Sequence, residues 1–151
     1  MAATDYEAFF QDYVQAFNQS LVEDASDFIR ASYAEYFVSA GVGEAVQGGA
    51  NDEKYADILR KGAEFYRALG FRKMSLLEIE VTPIDEGHDM ARPFFRADYV
   101  RRDGTPVSID FDLVYMLQKR ADGPKIFAFV AGDEIALYRK YGLVDESGKP
   151  A

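Results

Sequence analysis

The chain has no cysteine and no tryptophan, and only one histidine and five prolines among its 151 residues. Without cysteine there are no disulfides, thiolate nucleophiles or Cys-ligated metals. The one histidine, His88, falls in an expected hairpin turn, and Glu86 and Asp89 beside it are too few to complete a metal site. No metal and no cofactor is therefore expected. Positive charge is also scarce: 17 Lys and Arg stand against 26 Asp and Glu, a net charge of −9. That argues against nucleic acid or an anionic membrane as a partner, because phosphate binding needs clustered basic residues. Long apolar runs are missing, and no stretch approaches transmembrane length. The opening MAATDYEAFF lacks the basic start and apolar run of a signal peptide, so a cytoplasmic location is the default expectation. Four glycines between Ala40 and Ala50 do not make a phosphate loop, since there is no GxxxxGK[ST] and the nearest lysine is Lys54. That segment reads as a flexible connection.

Aromatic residues are plentiful: 12 Phe and 10 Tyr, enough for a large core in one domain spanning 1–151. Thr4 and Glu7 have capping-box spacing. Tyr6, Phe9, Phe10, Tyr13, Val14, Phe17 and Leu21 then recur every three or four residues, predicting an amphipathic helix. Asp24 predicts the cap of a short helix to about Ser32, with Phe28 and Ile29 inward. Tyr33–Ser39 reads as a short edge strand centred on Tyr36–Val38. Asn51 is placed to cap a third helix whose buried face carries Tyr55, Ile58, Leu59, Gly62, Tyr66 and Leu69, and Gly70 ends it. Gly62 sits mid-helix, where glycine costs up to about 1 kcal/mol relative to alanine; its use there is to let a backbone or ligand approach closely. From Phe71 the apolar period changes to two. Four strands are expected, near Arg72–Ile84, Ala91–Arg102, Thr105–Lys119 and Lys125–Ala131. A final helix over Asp133–Tyr141 is stopped by Gly142. The ordered core should run from about 5 to 141, with a mobile tail over 145–151.

The turn RDG fixes a register. A three-residue loop, Arg102-Asp103-Gly104, pairs Tyr99 with Val107, Ala97 with Ile109, Phe95 with Phe111 and Arg96 with Asp110. This keeps the apolar set on one face, whereas a two-residue loop would mix charge into it. Extending the parity puts Leu77, Ile79, Val81, Phe95, Tyr99, Ile109, Phe111, Leu113, Tyr115, Leu117, Phe127 and Phe129 inside. Outside lies a charged row in which Arg96 is expected between Glu80 and Asp110, with Asp112 nearby. An apolar strip of Phe94, Val114, Met116, Ala128 and Val130 runs along the same face. Exposed Phe, Val and Met on a sheet mark a candidate interface, so a two-fold homodimer through Phe94, Arg96, Asp110, Asp112, Val114, Met116, Ala128 and Val130 is expected.

Element order and several stretches together resemble the nuclear transport factor 2-like, or SnoaL-like, superfamily. The stretches are VQAFNQ, YADILRKGAEFYRALGF, ADYVRRDGTPVSIDFDLVY and IFAFVAGDEIALYRKYGL, and the resemblance covers about residues 5–141. It implies an α+β fold in which a cone-shaped, curved antiparallel sheet wraps N-terminal helices (cystatin-like), with a short C-terminal helix. It also implies an apolar pocket within the cone and dimers through the sheet. On this sequence the pocket candidates are Tyr13, Phe17, Tyr36, Tyr55, Tyr66, Tyr99, Phe111, Tyr115, Phe127 and Phe129. Members include ketosteroid isomerases, scytalone dehydratases, limonene epoxide hydrolases and polyketide cyclases, and also binding and scaffold modules, so the fold does not settle function.

The enzymes resembled place Asp, His or Arg inside the cone. Here every expected inner strand position is apolar or tyrosine, so no catalytic residue can be carried over. Carboxylates could still come from helical faces, at Glu35, Asp57 or Glu64, and Tyr99 and Tyr115 could donate to an oxyanion. Three readings follow. A binding module for a small apolar or aromatic molecule predicts a cavity with only tyrosine hydroxyls. A cofactor-independent lyase, isomerase or cyclase predicts a titratable group inside. A homodimeric interaction domain predicts a cone filled by side chains.

Overall fold

The computed structural model describes residues 4–151, so the first three residues of the stretch MAATDYEAFF lie outside the described residues. The elements are α1 (Tyr6–Gln19), α2 (Ser26–Arg30), β1 (Tyr33–Ala40), β2 (Val46–Ala50), α3 (Glu53–Leu69), β3 (Phe71–Pro83), β4 (His88–Val100), β5 (Pro106–Asp112), β6 (Val114–Arg120), β7 (Gly123–Val130) and α4 (Glu134–Lys140). One seven-stranded sheet runs β2-β1-β7-β6-β4-β3, with β5 also on β4. It is a mixed sheet rather than a wholly antiparallel one, because β1 pairs parallel with β7.

The register read from the RDG turn is the one found: Tyr99 opposes Val107, Ala97 Ile109, Phe95 Phe111 and Arg96 Asp110. Arg101 N donates to Thr105 O at 2.9 Å, and Gly104 takes φ +88°, the left-handed position that a three-residue hairpin requires. The expected strand Thr105–Lys119 is continuous in register but interrupted at Leu113. Leu113 falls opposite Pro93, which has no N–H to donate, and the ladder resumes with Tyr115 against Ala91.

Two bulges overturn the expectations for Leu77, for the Arg96–Glu80 pairing and for Phe127, while Val81 keeps its register but not its burial. A bulge in β3 inserts Leu77 between Leu76, opposite Phe95, and Glu78, opposite Phe94; Leu77 is left 46% exposed, and Leu76 takes the inner place. The same shift sets Arg96 against Ser75 and Glu80 against Arg92, so Arg96 does not sit between Glu80 and Asp110. Its bidentate pair with Asp110, at 2.7 and 2.9 Å, does form. A second bulge, in β7, leaves Phe127 unpaired between Ile126 and Ala128. Ile126 becomes the fully buried residue, and Phe127 turns to the outer face to meet His88 edge-on at 5.8 Å. Val81, opposite Ala91 near the end of β3, is 43% exposed where the sheet edge outruns its cover.

The helices differ in detail. Asp5, not Thr4, caps α1 by accepting from Ala8 N, and Asp52, not Asn51, caps α3. Asn51 instead ties three segments together: it accepts from Arg30 Nε and donates to the carbonyls of Arg30 and Tyr33. Phe28 is exposed, and Ile29 alone of the expected pair is buried, since neighbouring side chains on a helix point about 100° apart. The glycine-rich stretch is not a loose connection: Val46–Ala50 forms β2 against β1. Gly70 ends α3 at φ +89°, and a Cβ there would stand 2.0 Å from Val100 O. The polar end of the chain folds back rather than trailing free. Val144 bridges Pro150, the Asp145 carboxylate accepts from Ser147 N and Lys149 N, and Leu143 and Val144 are buried.

α1 lies in the concavity of the sheet. Phe10 packs on Phe95 and Tyr115, and the Asn18 amide makes a two-way backbone pair with Met74 of β3, at 2.9 and 2.7 Å. That pair anchors the open edge of the sheet to the helix. Among the described residues no helix is long and apolar enough to cross a membrane.

Candidate functional site

The aromatic side chains leave a cavity of about 860 Å³ between the inner sheet face, α1, α3 and the start of α4. It is open at a rim that includes Val42, Asp52, Lys54, Ile58 and Ile135. Seven tyrosines and six phenylalanines line it. Of the ten residues expected around such a space, Tyr13, Phe17, Tyr55, Tyr66, Tyr99, Phe111, Tyr115 and Phe129 are brought together there. Phe127 is excluded by the β7 bulge. Tyr36 is 73% exposed, because β1 has the opposite parity from that expected and turns Phe37 inward. Phe37 stacks with Phe129 and meets Tyr33 and Tyr55 at 4.8 and 4.6 Å. Gly62 lines the cavity, and a Cβ built on it would meet nothing within 4 Å. The missing side chain there is open space.

The tyrosine hydroxyls fall into two groups. At the inner end, Tyr115 donates to Tyr13 at 3.1 Å, and Tyr13 and Tyr33 share a hydrogen bond at 2.9 Å. Burial pushes all three phenols well above their ordinary range, so they are neutral hydrogen-bonding groups at any physiological pH. The second group is Tyr66, Tyr99 and Tyr138, with the Tyr99 and Tyr138 oxygens 3.5 Å apart. Burial raises the Tyr99 phenol to about 12.

Beside this second group stands Glu134, in the first turn of α4 and half-buried in the cavity wall. Burial raises its carboxyl above the usual range, and the Tyr66 and Tyr138 hydroxyls pull partly the other way by favouring the ionised form. Asp133 fixes its position by capping the helix through Ala136 N at 3.0 Å. Glu134 is the titratable group that inner strand positions could not supply. Its signal was present in the spacing, since Glu134 and Tyr138 are four apart and share one helical face. Tyr138 was the apolar mark of that face.

The helical carboxylates considered from the sequence lie elsewhere. Glu35 is exposed and bidentate with Arg120, which lowers its carboxyl to about 2. Asp57 is exposed and paired with Arg60 at 2.7 Å, and Glu64 is exposed. His88 bonds to Asp85 at 2.8 Å outside the cavity. Asp89 is buried but spent on structure, accepting from Tyr6 O–H at 2.6 Å with Lys119 Nζ at 3.6 Å. Among the described residues no group of three or more His, Asp or Glu could hold a metal ion. On the outer sheet face the interface candidates are contiguous: Phe94 opposes Asp112, Val114 Val130 and Met116 Ala128, with the Arg96–Asp110 pair alongside.

A curved sheet closed over helices around an aromatic cavity defines an α+β cone. The chain belongs to the NTF2-like family described as "NTF2-like protein (DUF6841)", whose model matches residues 4–134. No curated protein matches it. Among solved structures it is similar to an NTF2-like protein with a cystatin-like fold from Novosphingobium aromaticivorans, at 15% identity and TM-score 0.65, covering 84% of this chain and 78% of that one. It is also similar to a ketosteroid isomerase-like protein from Erwinia carotovora atroseptica, at 19% identity and TM-score 0.57, covering 83% and 91%. A third is the beta subunit of benzoate 1,2-dioxygenase from Burkholderia mallei, at 17% identity and TM-score 0.60, covering 87% and 92%. At these identities the likeness is one of fold.

Proposed function

We propose that this protein binds a small, largely apolar or aromatic molecule inside the cone, as a homodimer through the outer sheet face. The observation that carries the reading is the cavity itself: about 860 Å³ of space walled by aromatic rings, with polar atoms confined to a few positions. Ligand sites have this composition and size, apolar walls with a small number of orienting groups. The open space at Gly62 supports it further, and weighs against a cone filled by its own side chains. The test uses the absence of tryptophan. Intrinsic fluorescence comes from tyrosine, much of it in the cavity wall, so a bound naphthalene ring quenches it by energy transfer. Titration with 1-naphthalenemethanol should give saturable quenching in the wild type and little in Gly62→Leu, which fills the space from a good helix-forming residue. Equal quenching in both proteins would place the probe outside the cavity and defeat the proposal.

Glu134 favours a second reading, cofactor-independent acid–base chemistry on the bound molecule. A half-buried carboxyl that burial raises above the usual carboxylate range is a candidate acid or base for proton transfer at carbon, and neighbouring phenols can donate to a developing oxyanion. Exchange of the α-protons of 2-tetralone in D₂O, followed by NMR, tests it. Exchange faster than in buffer and lost in Glu134→Gln supports catalysis; exchange at the buffer rate defeats it.

A further inference from the structure

The charges around the cavity are of one sign apart from a single rim lysine. Four charged side chains line it: Asp52, Lys54, Asp133 and Glu134. Asp52 and Asp133 are exposed and committed to helix caps, accepting from Lys54 N and Tyr55 N and from Ala136 N. Lys54 is exposed at the start of α3. Glu134 alone is drawn into the aromatic wall. Its neighbours there are the hydroxyls of Tyr66 and Tyr138, and no cation faces it among the described residues. Among the described residues no arginine and no histidine lines the cavity.

Such a wall discriminates between ligands by charge. A carboxylate ligand would meet Glu134 in a site of low dielectric with no arginine or histidine to neutralise it, and repulsion there is strong. A neutral ligand would leave the Glu134 charge half-desolvated and unpaired, which is costly. An ammonium ligand does neither. It pairs with the carboxylate, and the faces of the surrounding Tyr and Phe rings attract cations through their quadrupoles. The net charge of −9 favours cation encounter over longer range.

We infer that the cavity is selective for a molecule with an apolar or aromatic body and a basic amine, held with its ammonium group between Glu134 and the Tyr66–Tyr99–Tyr138 hydroxyls. This rests on the cavity-binding reading above and narrows it to a ligand class.

Three probes of one skeleton test it: 1-naphthalenemethylamine, 1-naphthalenemethanol and 1-naphthoate, titrated by calorimetry into the wild type at pH 7. The amine should bind at least about tenfold tighter than the alcohol, and the carboxylate weakest. Glu134→Gln should remove most of the amine's advantage over the alcohol. The wild-type ranking stands as a test even where the variant fails to fold. Amine and alcohol binding equally, or the carboxylate binding tightest, would overturn the inference and leave the cavity reading intact. Failure of all three to bind would overturn both.

Discussion

Glu134 ties its ionisation to folding. Its carboxyl titrates higher in the folded protein than in the unfolded chain, so the folded state holds its proton more tightly. Ionisation therefore costs stability as pH rises above the ordinary carboxylate range, and the cost is absent at low pH where both states are protonated. Glu134→Gln should raise the melting temperature at pH 7 and raise it less, or not at all, at pH 4; a gain independent of pH would contradict the burial of this group. Two glycines make an opposed pair at the same scale. Gly70→Ala places a methyl 2.0 Å from Val100 O at a left-handed φ, and should cost well over about 1 kcal/mol in chemical denaturation. Gly62→Ala meets nothing and should stabilise α3 by up to about 1 kcal/mol. Both glycines were legible as special, but only the structure separates a steric need from an empty space. Glu134 was passed over as a site residue, because the carboxylates weighed on helical faces were Glu35, Asp57 and Glu64, and this residue reaches the cavity from the first turn of α4.

At the scale of elements, alternation and turn chemistry were strong guides where the ladder is regular. The β4–β5 register follows from one glycine and the need to keep charge off one face. The same reasoning misplaced Leu77 and Phe127, since a bulge shifts parity by one residue and leaves no mark in the apolar pattern. β1 shows the same limit: YAEYFVS has aromatics at both parities, so the sequence cannot choose between Tyr36 and Phe37. The bulge in β3 can be tested by a contrast. Leu117, fully buried opposite Ile126, should lose about 2–5 kcal/mol on truncation to alanine. Leu77→Ala should cost under about 1 kcal/mol. Similar losses at both sites, measured by urea unfolding, would place Leu77 back in the core.

At the scale of the molecule, the order of helices and strands carried the cone, while the parallel β1–β7 pairing and the closing hairpin over residues 144–150 depend on long-range contacts that local patterns do not encode. The outer face remains the proposed dimer surface. Its apolar strip runs along Phe94, Val114, Met116 and Val130, and Val130 is 54% exposed. Sedimentation velocity at micromolar concentration should give a dimer for the wild type and a monomer for Met116→Glu, with the far-UV spectrum unchanged; a monomeric wild type would remove the proposal.

The cavity carries the functional account, and the most direct measurement is a crystal structure with 1-naphthalenemethylamine bound. The account predicts the ring system between α3 and the inner sheet face, with its nitrogen within about 3 Å of the Glu134 carboxylate. Ligand density confined to the protein surface, or a cone closed by its own phenylalanines and tyrosines, would contradict it.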